Sequence, residues 1–241
     1  MAQSNDANVS LAGFDDEQVR LMEERCIVVD DNDNILRDGS KKECHLMTNI
    51  RAGLLHRAFS CFIFHPDTGK LLLQKRAPEK ITFPNMWTNT CCSHPLMVSA
   101  EIDGVAGAKR AAQRKLEHEL GIPSSQVPIE SFQYLTRIHY LAPSDGLWGE
   151  HEIDYILFVV ADVTLDVNRN EVCDEQWVSP DELRKLMEEN EPGAFTPWFK
   201  LIVSRFLFPW WNVLLESRSG DGPLDAHSLA HLEDSDIHRL L

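Results

Sequence analysis

Between Ile102 and Leu120 the apolar residues fall three or four apart, and on either side of that stretch they do not. Val105, Ala108, Ala112, Leu116 and Leu120 make one stripe of an amphipathic helix, and Gly121 supplies its stop. Strand-like runs precede it. Residues 26–30 read as a buried strand, turn through Asp31-Asn32-Asp33-Asn34 and return as a hairpin at Ile35-Leu36. Residues 59–65 and 70–76 follow, joined by Pro66-Asp67-Thr68-Gly69, while residues 41–45 read as a polar loop. After the helix, residues 132–141 and 151–161 read as strands around a glycine-hinged loop, 144–149, and 175–178 as a short strand. Ser179-Pro180 and Thr196-Pro197 carry the cap and first-turn chemistry of two later helices. This interleaving predicts an α/β fold, an α/β/α sandwich around a mixed sheet in a single domain. Residues 1–20 are expected to be a mobile extension in which Asp15 and Asp16 cap a short helix through Met22. Residues 21–215 form the domain, and 216–241 a tail that is helical in part.

The formal net charge of −15 over 241 residues argues against nucleic acid as partner, because phosphate backbones need a basic surface. It leaves room for a small anion in a local basic pocket. The six cysteines include no Cys-x-x-Cys pair, which fits reduced thiols inside a cell. Residues 1–16 lack the basic and apolar regions of a secretory leader and the Arg-rich composition of a transit peptide. The late apolar stretch 199–215 is broken by Arg205 and Pro209, so no membrane span is expected. A cytoplasmic protein, as a monomer, is the default. Asp31-Asn32-Asp33 lacks the glycine and terminal glutamate of a calcium loop and reads only as a turn.

Two stretches carry chemistry. In Thr88-Asn89-Thr90-Cys91-Cys92-Ser93-His94-Pro95, Cys92 and His94 share a face of an extended backbone and Cys91 takes the other. A thiol can move a proton or act as nucleophile, and an imidazole beside it can be a base or a metal ligand. Further on, Glu150, Glu152 and Asp154 share parity with Ile156 and Phe158, which puts acids on an inward face. Buried carboxylates are costly unless paired or metal-bound. Lys109, Arg110, Arg114 and Lys115 lie off the helical stripe, a basic cluster in an acidic chain.

Residues 100–122 can be laid on the Nudix box: Arg114, Leu116, Glu119, Gly121 and Ile122 fit, whereas Ala100, Ala106, Lys115 and His118 stand where it wants glycine and three acids. Asn89-Thr-Cys-Cys-Ser-His-Pro95, Leu55-His-Arg-Ala-Phe59, Thr136-Arg-Ile-His-Tyr140, Trp148-Gly-Glu-His-Glu-Ile153 and Thr196-Pro-Trp-Phe199 together resemble type I isopentenyl-diphosphate isomerases of the eukaryotic form, over residues 20–215. The resemblance implies a Nudix-like sandwich and a reversible shift between isopentenyl and dimethylallyl diphosphate through a tertiary carbocation. It implies zinc or manganese on His45, His56, His94, Glu150 and Glu152, and magnesium between Glu119 and the diphosphate. Glu152, assisted by Tyr140, would protonate the alkene, Cys92 would act from the opposite face, and Trp198 would lay its ring against the cation. Arg76, Lys80 and Lys115, with Lys41 or Lys42, and Trp148 would contact the substrate; Lys115 stands where arginine is expected. His118, His139 and His151 read as structural. Two rivals stay open: a Nudix-type diphosphate hydrolase, against which the missing acids argue, and a non-catalytic, metal-stabilised interaction protein.

Overall fold

A computed structural model of the protein describes residues 9–191, 193–218 and 222–241; residues 1–8 of the expected extension lie outside the described residues. Asp15 caps the first helix, α1 (Asp16–Leu21), by accepting from the amides of Glu17 and Gln18. The hairpin β1 (Arg25–Val29) and β2 (Ile35–Ser40) follows, turning at Asp33, whose φ is 65°. Ser40 then accepts from the Glu43 amide and starts α2 (Lys41–His45) where a loop was expected. Five residues are too few to show a helical period, so the cap decides. Helix α3 (Met47–Arg51) leads into β3 (Leu55–Phe64), which begins at Leu55 rather than Phe59 and so takes His56 into the sheet.

Strands β4 (Leu71–Arg76), β5 (Trp87–Thr88) and β6 (Cys91–Ser93) precede the predicted helix, α4 (Gly104–Leu120), which Gly121 ends at φ 64°. The remaining strands are β7 (Gln133–Pro143), β8 (Gly149–Val160) and β9 (Val172–Val178). Ser179 and Glu182 form a capping box on α5 (Pro180–Glu189). The late helix is α6 (Pro197–Ile202) and α7 (Phe208–Glu216) joined by a π-helical turn, Val203–Leu207. Pro209 has no amide for the Arg205 carbonyl, and a wider turn just before it absorbs the clash. The tail ends in a short edge strand, β10 (Ile237–Arg239), parallel to β7, after a 3₁₀ segment, Ala226–Leu232.

Among the described residues ten strands share one mixed sheet whose main path runs β10-β7-β8-β3-β1-β2. Strand β3 is its hub: parallel to β8, antiparallel to β1, β4 and β6, and buried at every residue. On one face Ala108, Ala112, Leu116 and Leu120 of α4 pack on Phe59, Cys61 and Leu157. On the other, Phe199, Ile202 and Trp211 pack on Phe62, Phe64, Ile156 and Phe158. This is the predicted α/β/α sandwich. The parity that sends Ile156 and Phe158 to the second face carries Glu150, Glu152 and Asp154 with them, and a one-residue slip would reverse all five.

The later part of the expected extension, around α1, makes side-chain contacts with the domain. Gln18 is buried and donates to Asn170 Oδ1 (2.8 Å) and Glu171 Oε1 (2.9 Å), and Asn170 donates to Asp15 (2.9 Å). These partners lie far along the chain, so a polar six-residue helix gave no local sign of them.

The β1–β2 turn has a structural duty that its sequence did not reveal. Asp33 Oδ1 accepts from Arg57 Nε (2.8 Å), while Oδ2 accepts from Arg137 Nη1 (3.0 Å) and from the Tyr155 hydroxyl. Removing one partner of a buried ion pair strands the other. Asp33→Ala is therefore expected to lower stability by about 3–5 kcal/mol. An unchanged urea midpoint would contradict this.

Candidate active site

Helix α2, strands β3 and β8 and the residue after β6 bring four side chains together. His45 ends α2, His56 pairs in register with Glu152 across β3 and β8, and His94 follows β6. One ligand atom from each lies within 4.8 Å of the others, and all four residues are buried. Glu152 Oε1 stands 2.9 Å from His94 Nε2 and 3.1 Å from His56 Nε2, the latter outside hydrogen-bond geometry. His45 Nδ1–H donates to the Lys41 carbonyl at 2.6 Å, which fixes its tautomer and leaves the Nε2 lone pair free. His45 Nε2, both His56 nitrogens and His94 Nδ1 are buried without a hydrogen-bond partner. Such orphans call for an explanation, and a metal ion would account for one nitrogen of each ring. Burial pushes His94 down to about 4 and His45 well below the usual histidine range, which favours the neutral form that ligation requires. Burial alone would raise Glu152, but the His56 imidazole beside it and the hydrogen bond from His94 hold it well below the usual carboxylate range. Three imidazoles and a carboxylate suit a divalent metal ion. Glu150 stands beside this group, with Oε1 3.9 Å from His45 Nε2.

Chelation of the metal-loaded protein is expected to lower its melting temperature. At free metal 100-fold above Kd the difference corresponds to about 2.7 kcal/mol. Calorimetry with chelator and after zinc or manganese is restored checks it; an unmoved transition would speak against a structural metal.

The cavity next to this cluster is lined by Cys92, Glu150, Glu152, Tyr140, Trp198, Lys41, Arg76, Lys80 and Glu119, among others. Tyr140, the register partner of Glu152 on β7, donates its hydroxyl to Glu152 Oε2 and lies 3.0 Å from Glu150 Oε2. With Glu152 ionised beside it, burial and that charge push Glu150 up to about 8. Strand β6 flanks β3 on the side away from β8, so Cys92 and Glu152 approach the cavity from two strands with β3 between them. Cys91 has the opposite parity, as expected, and points to Glu119 Oε2 at 3.5 Å. Burial pushes the Cys92 thiol up to about 12, while Arg76, whose Nη1 is 3.9 Å from the sulfur, pulls it back. The Arg76 guanidinium also lies 5.7 Å from the centre of the Trp198 ring.

Lys80 in the cavity wall and Lys115 behind it are paired with acids. Lys80 Nζ lies 2.5 Å from Glu171 Oε2, and Glu119 is held by Lys115 (3.2 Å) and by Gln74 Nε2 (3.1 Å). Lys115 therefore reaches the site through Glu119 rather than lining it. Lys41 is on the wall, but Lys42 donates to the Val9 carbonyl (2.8 Å), because neighbours on a helix face different ways. Trp148 is also off the wall, packed with Met22, Leu46 and Ile81.

The chain matches the NUDIX domain family over residues 54–199. It is 56% identical to the isopentenyl-diphosphate delta-isomerase of Phaffia rhodozyma, with 99% of this chain and 96% of that one covered. It is also 56% identical to that of Schizosaccharomyces pombe, over 94% and 95%. The chain belongs to the isopentenyl-diphosphate delta-isomerase family. A solved structure from Deinococcus radiodurans superimposes with a TM-score of 0.52 at 18% identity, covering 76% of this chain and 99% of that one, which supports the fold alone.

In this isopentenyl-diphosphate delta-isomerase family member the cavity also exposes Gln18, Ser60, Thr82 and Ser93, which the sequence did not single out. Ser60 is the cross-strand partner of Cys92 and donates to Asp154 (2.8 Å); only the pairing of β3 with β6 reveals it. Thr82 accepts from Arg76 Nη2 (3.3 Å) and approaches Glu150 (3.4 Å) from an irregular loop that carries no periodic signal.

Proposed function

We propose that the protein interconverts isopentenyl diphosphate and dimethylallyl diphosphate by moving one proton onto the terminal alkene carbon and another off the allylic carbon. The observation that carries this is the shared cavity: the thiol of Cys92 and the carboxylate of Glu152 line the same space from strands on either side of β3. An unactivated alkene is a weak base, so its protonation needs a positioned acid in a site that keeps water from the cation. In the forward direction the Glu152–Tyr140 pair delivers a proton to the terminal carbon, the double-bond electrons form the new C–H bond, and positive charge falls on the tertiary carbon. Cys92, as thiolate, takes a proton from the neighbouring methylene, and those electrons form the new double bond. The reverse reaction exchanges the donor and acceptor roles. Arg76 beside the sulfur favours the thiolate. The Trp198 face offers the cation an attraction of about 2 kcal/mol or more in a desolvated site.

His45, His56, His94, Glu150 and Glu152 would hold zinc or manganese, and Glu119 magnesium, supplying positive charge that acidifies the Glu152–Tyr140 pair and neutralises the diphosphate. Lys41, Arg76 and Lys80 on the cavity wall suit the diphosphate itself. The six free thiols suit the cytoplasm.

Incubation with isopentenyl diphosphate in heavy water tests the reading. Deuterium should enter the prenyl product without release of phosphate; phosphate release instead would restore the hydrolase.

A further inference from the structure

The stretch that carries Cys92 also carries a buried amide whose partners reach across the site. Asn89 is fully buried, and its side chain makes four hydrogen bonds. Nδ2 donates to the carbonyls of Cys61 (3.1 Å) and Cys91 (2.8 Å), and Oδ1 accepts from the Trp198 indole N–H (3.2 Å) and the Thr88 hydroxyl (2.9 Å). Only one amide orientation satisfies this set, because carbonyls only accept and an indole N–H only donates. Thr88 gives its proton to Asn89, so its 2.8 Å contact with Thr196 must be a donation from Thr196. The Thr88 oxygen also lies 3.9 Å from Cys92 Sγ. Thr88 and Thr196 are fully buried as well.

We infer that Asn89 is a positioning residue: it fixes the Trp198 ring, through its indole N–H, at the angle that faces the reacting carbons. Trp198 enters on α6, whose cap residue Thr196 donates its amide to the Trp87 carbonyl of β5 (3.0 Å), so the start of the helix is tied by backbone and the ring by its side chain. The indole bond and the Thr88–Thr196 pair are polar ties between that helix and the stretch bearing the thiol. Packing against Phe83 (5.2 Å ring to ring, edge-on), Tyr140 (6.2 Å) and the Arg76 guanidinium (5.7 Å) confines the buried ring without a directional bond to its N–H. The hydrogen bond to Asn89 adds that direction, because it weakens steeply with misalignment.

This rests on the isomerase reading of Trp198 given above, and a double-mutant cycle separates the two. Asn89→Ala is expected to lower kcat by about 10²-fold, the cost of a displacement near 1 Å at the reacting centre, with KM little changed. Trp198→Phe keeps an aromatic face but has no indole N–H. In that background the same Asn89→Ala change should alter kcat by no more than a few-fold. Asn89→Asp retains the Oδ1 acceptor and should keep kcat close to the parent even if it melts earlier; it decides the matter if the alanine variant does not fold. An equal loss from Asn89→Ala in both backgrounds, or a 10²-fold loss in a folded Asn89→Asp variant, would overturn the role of Asn89 and leave that of the ring standing. Full turnover by Trp198→Phe would likewise overturn the role of Asn89, whereas full turnover by Trp198→Leu would overturn the reading of the ring itself.

Discussion

Glu152→Gln reduces turnover by about 10⁴-fold or more in the expected outcome, the upper end of what a positioned proton donor contributes. The substitution takes away the ionisable group that Tyr140 contacts and replaces the one anionic donor among four clustered ligand atoms by a weaker neutral oxygen. It should therefore weaken metal binding as well, by roughly 10–100-fold or more if the effect of losing an outer partner is a lower bound. Glutamine fills the same volume, so the sheet register and far-ultraviolet circular dichroism should be preserved. Single-turnover measurement at saturating metal separates the two losses. A variant that recovers full rate once metal is in excess would make Glu152 a ligand only.

Cys92→Ser is the second large effect, expected at about 10²–10⁴-fold in kcat with unchanged melting. A hydroxyl is a far weaker acid than a thiol, and Arg76 at 3.9 Å from the sulfur cannot close that gap. The variant should also stop exchanging solvent deuterium into the prenyl product, and undiminished exchange would remove Cys92 from the mechanism. Burial pushes the native thiol up to about 12 against the pull of Arg76, so in the free protein the thiolate that the forward reaction uses is the minor form at neutral pH. Its alkylation by iodoacetamide should accelerate roughly tenfold per pH unit until the fold gives way, because only the thiolate attacks. A rate that levels off near pH 7 would show a thiolate already present.

Much of this arrangement was legible in the residues because period and parity are strict rules. The stripe ending at Gly121 gave α4, and the alternation along β8 put Glu150, Glu152 and Asp154 on one side with Ile156 and Phe158. The same rule separated Cys91 from Cys92. What escaped depends on contacts between distant segments. His45 lay in an expected loop because α2 is a single short turn of helix, and Gln18 lay in an expected mobile end because its partners are Asn170 and Glu171. Ser60 needed the β3–β6 pairing, and nothing local separates Lys41 from Lys42 until the helix sets their directions. Trp148, next to two acids in a telling motif, turned out to plug the gap beneath Leu46.

Strand β3 sits at the middle of this scheme, with His56 and Ser60 on its own backbone and the bearers of Glu152 and Cys92 zipped to its two margins. Catalytic apparatus is often hung on pliable loops; the proton-moving pair proposed here is riveted instead to the strand with the most partners in the sheet. Thermal loss of turnover and collapse of the whole sheet should then be a single event, leaving no warm interval in which an intact shell surrounds a dead centre.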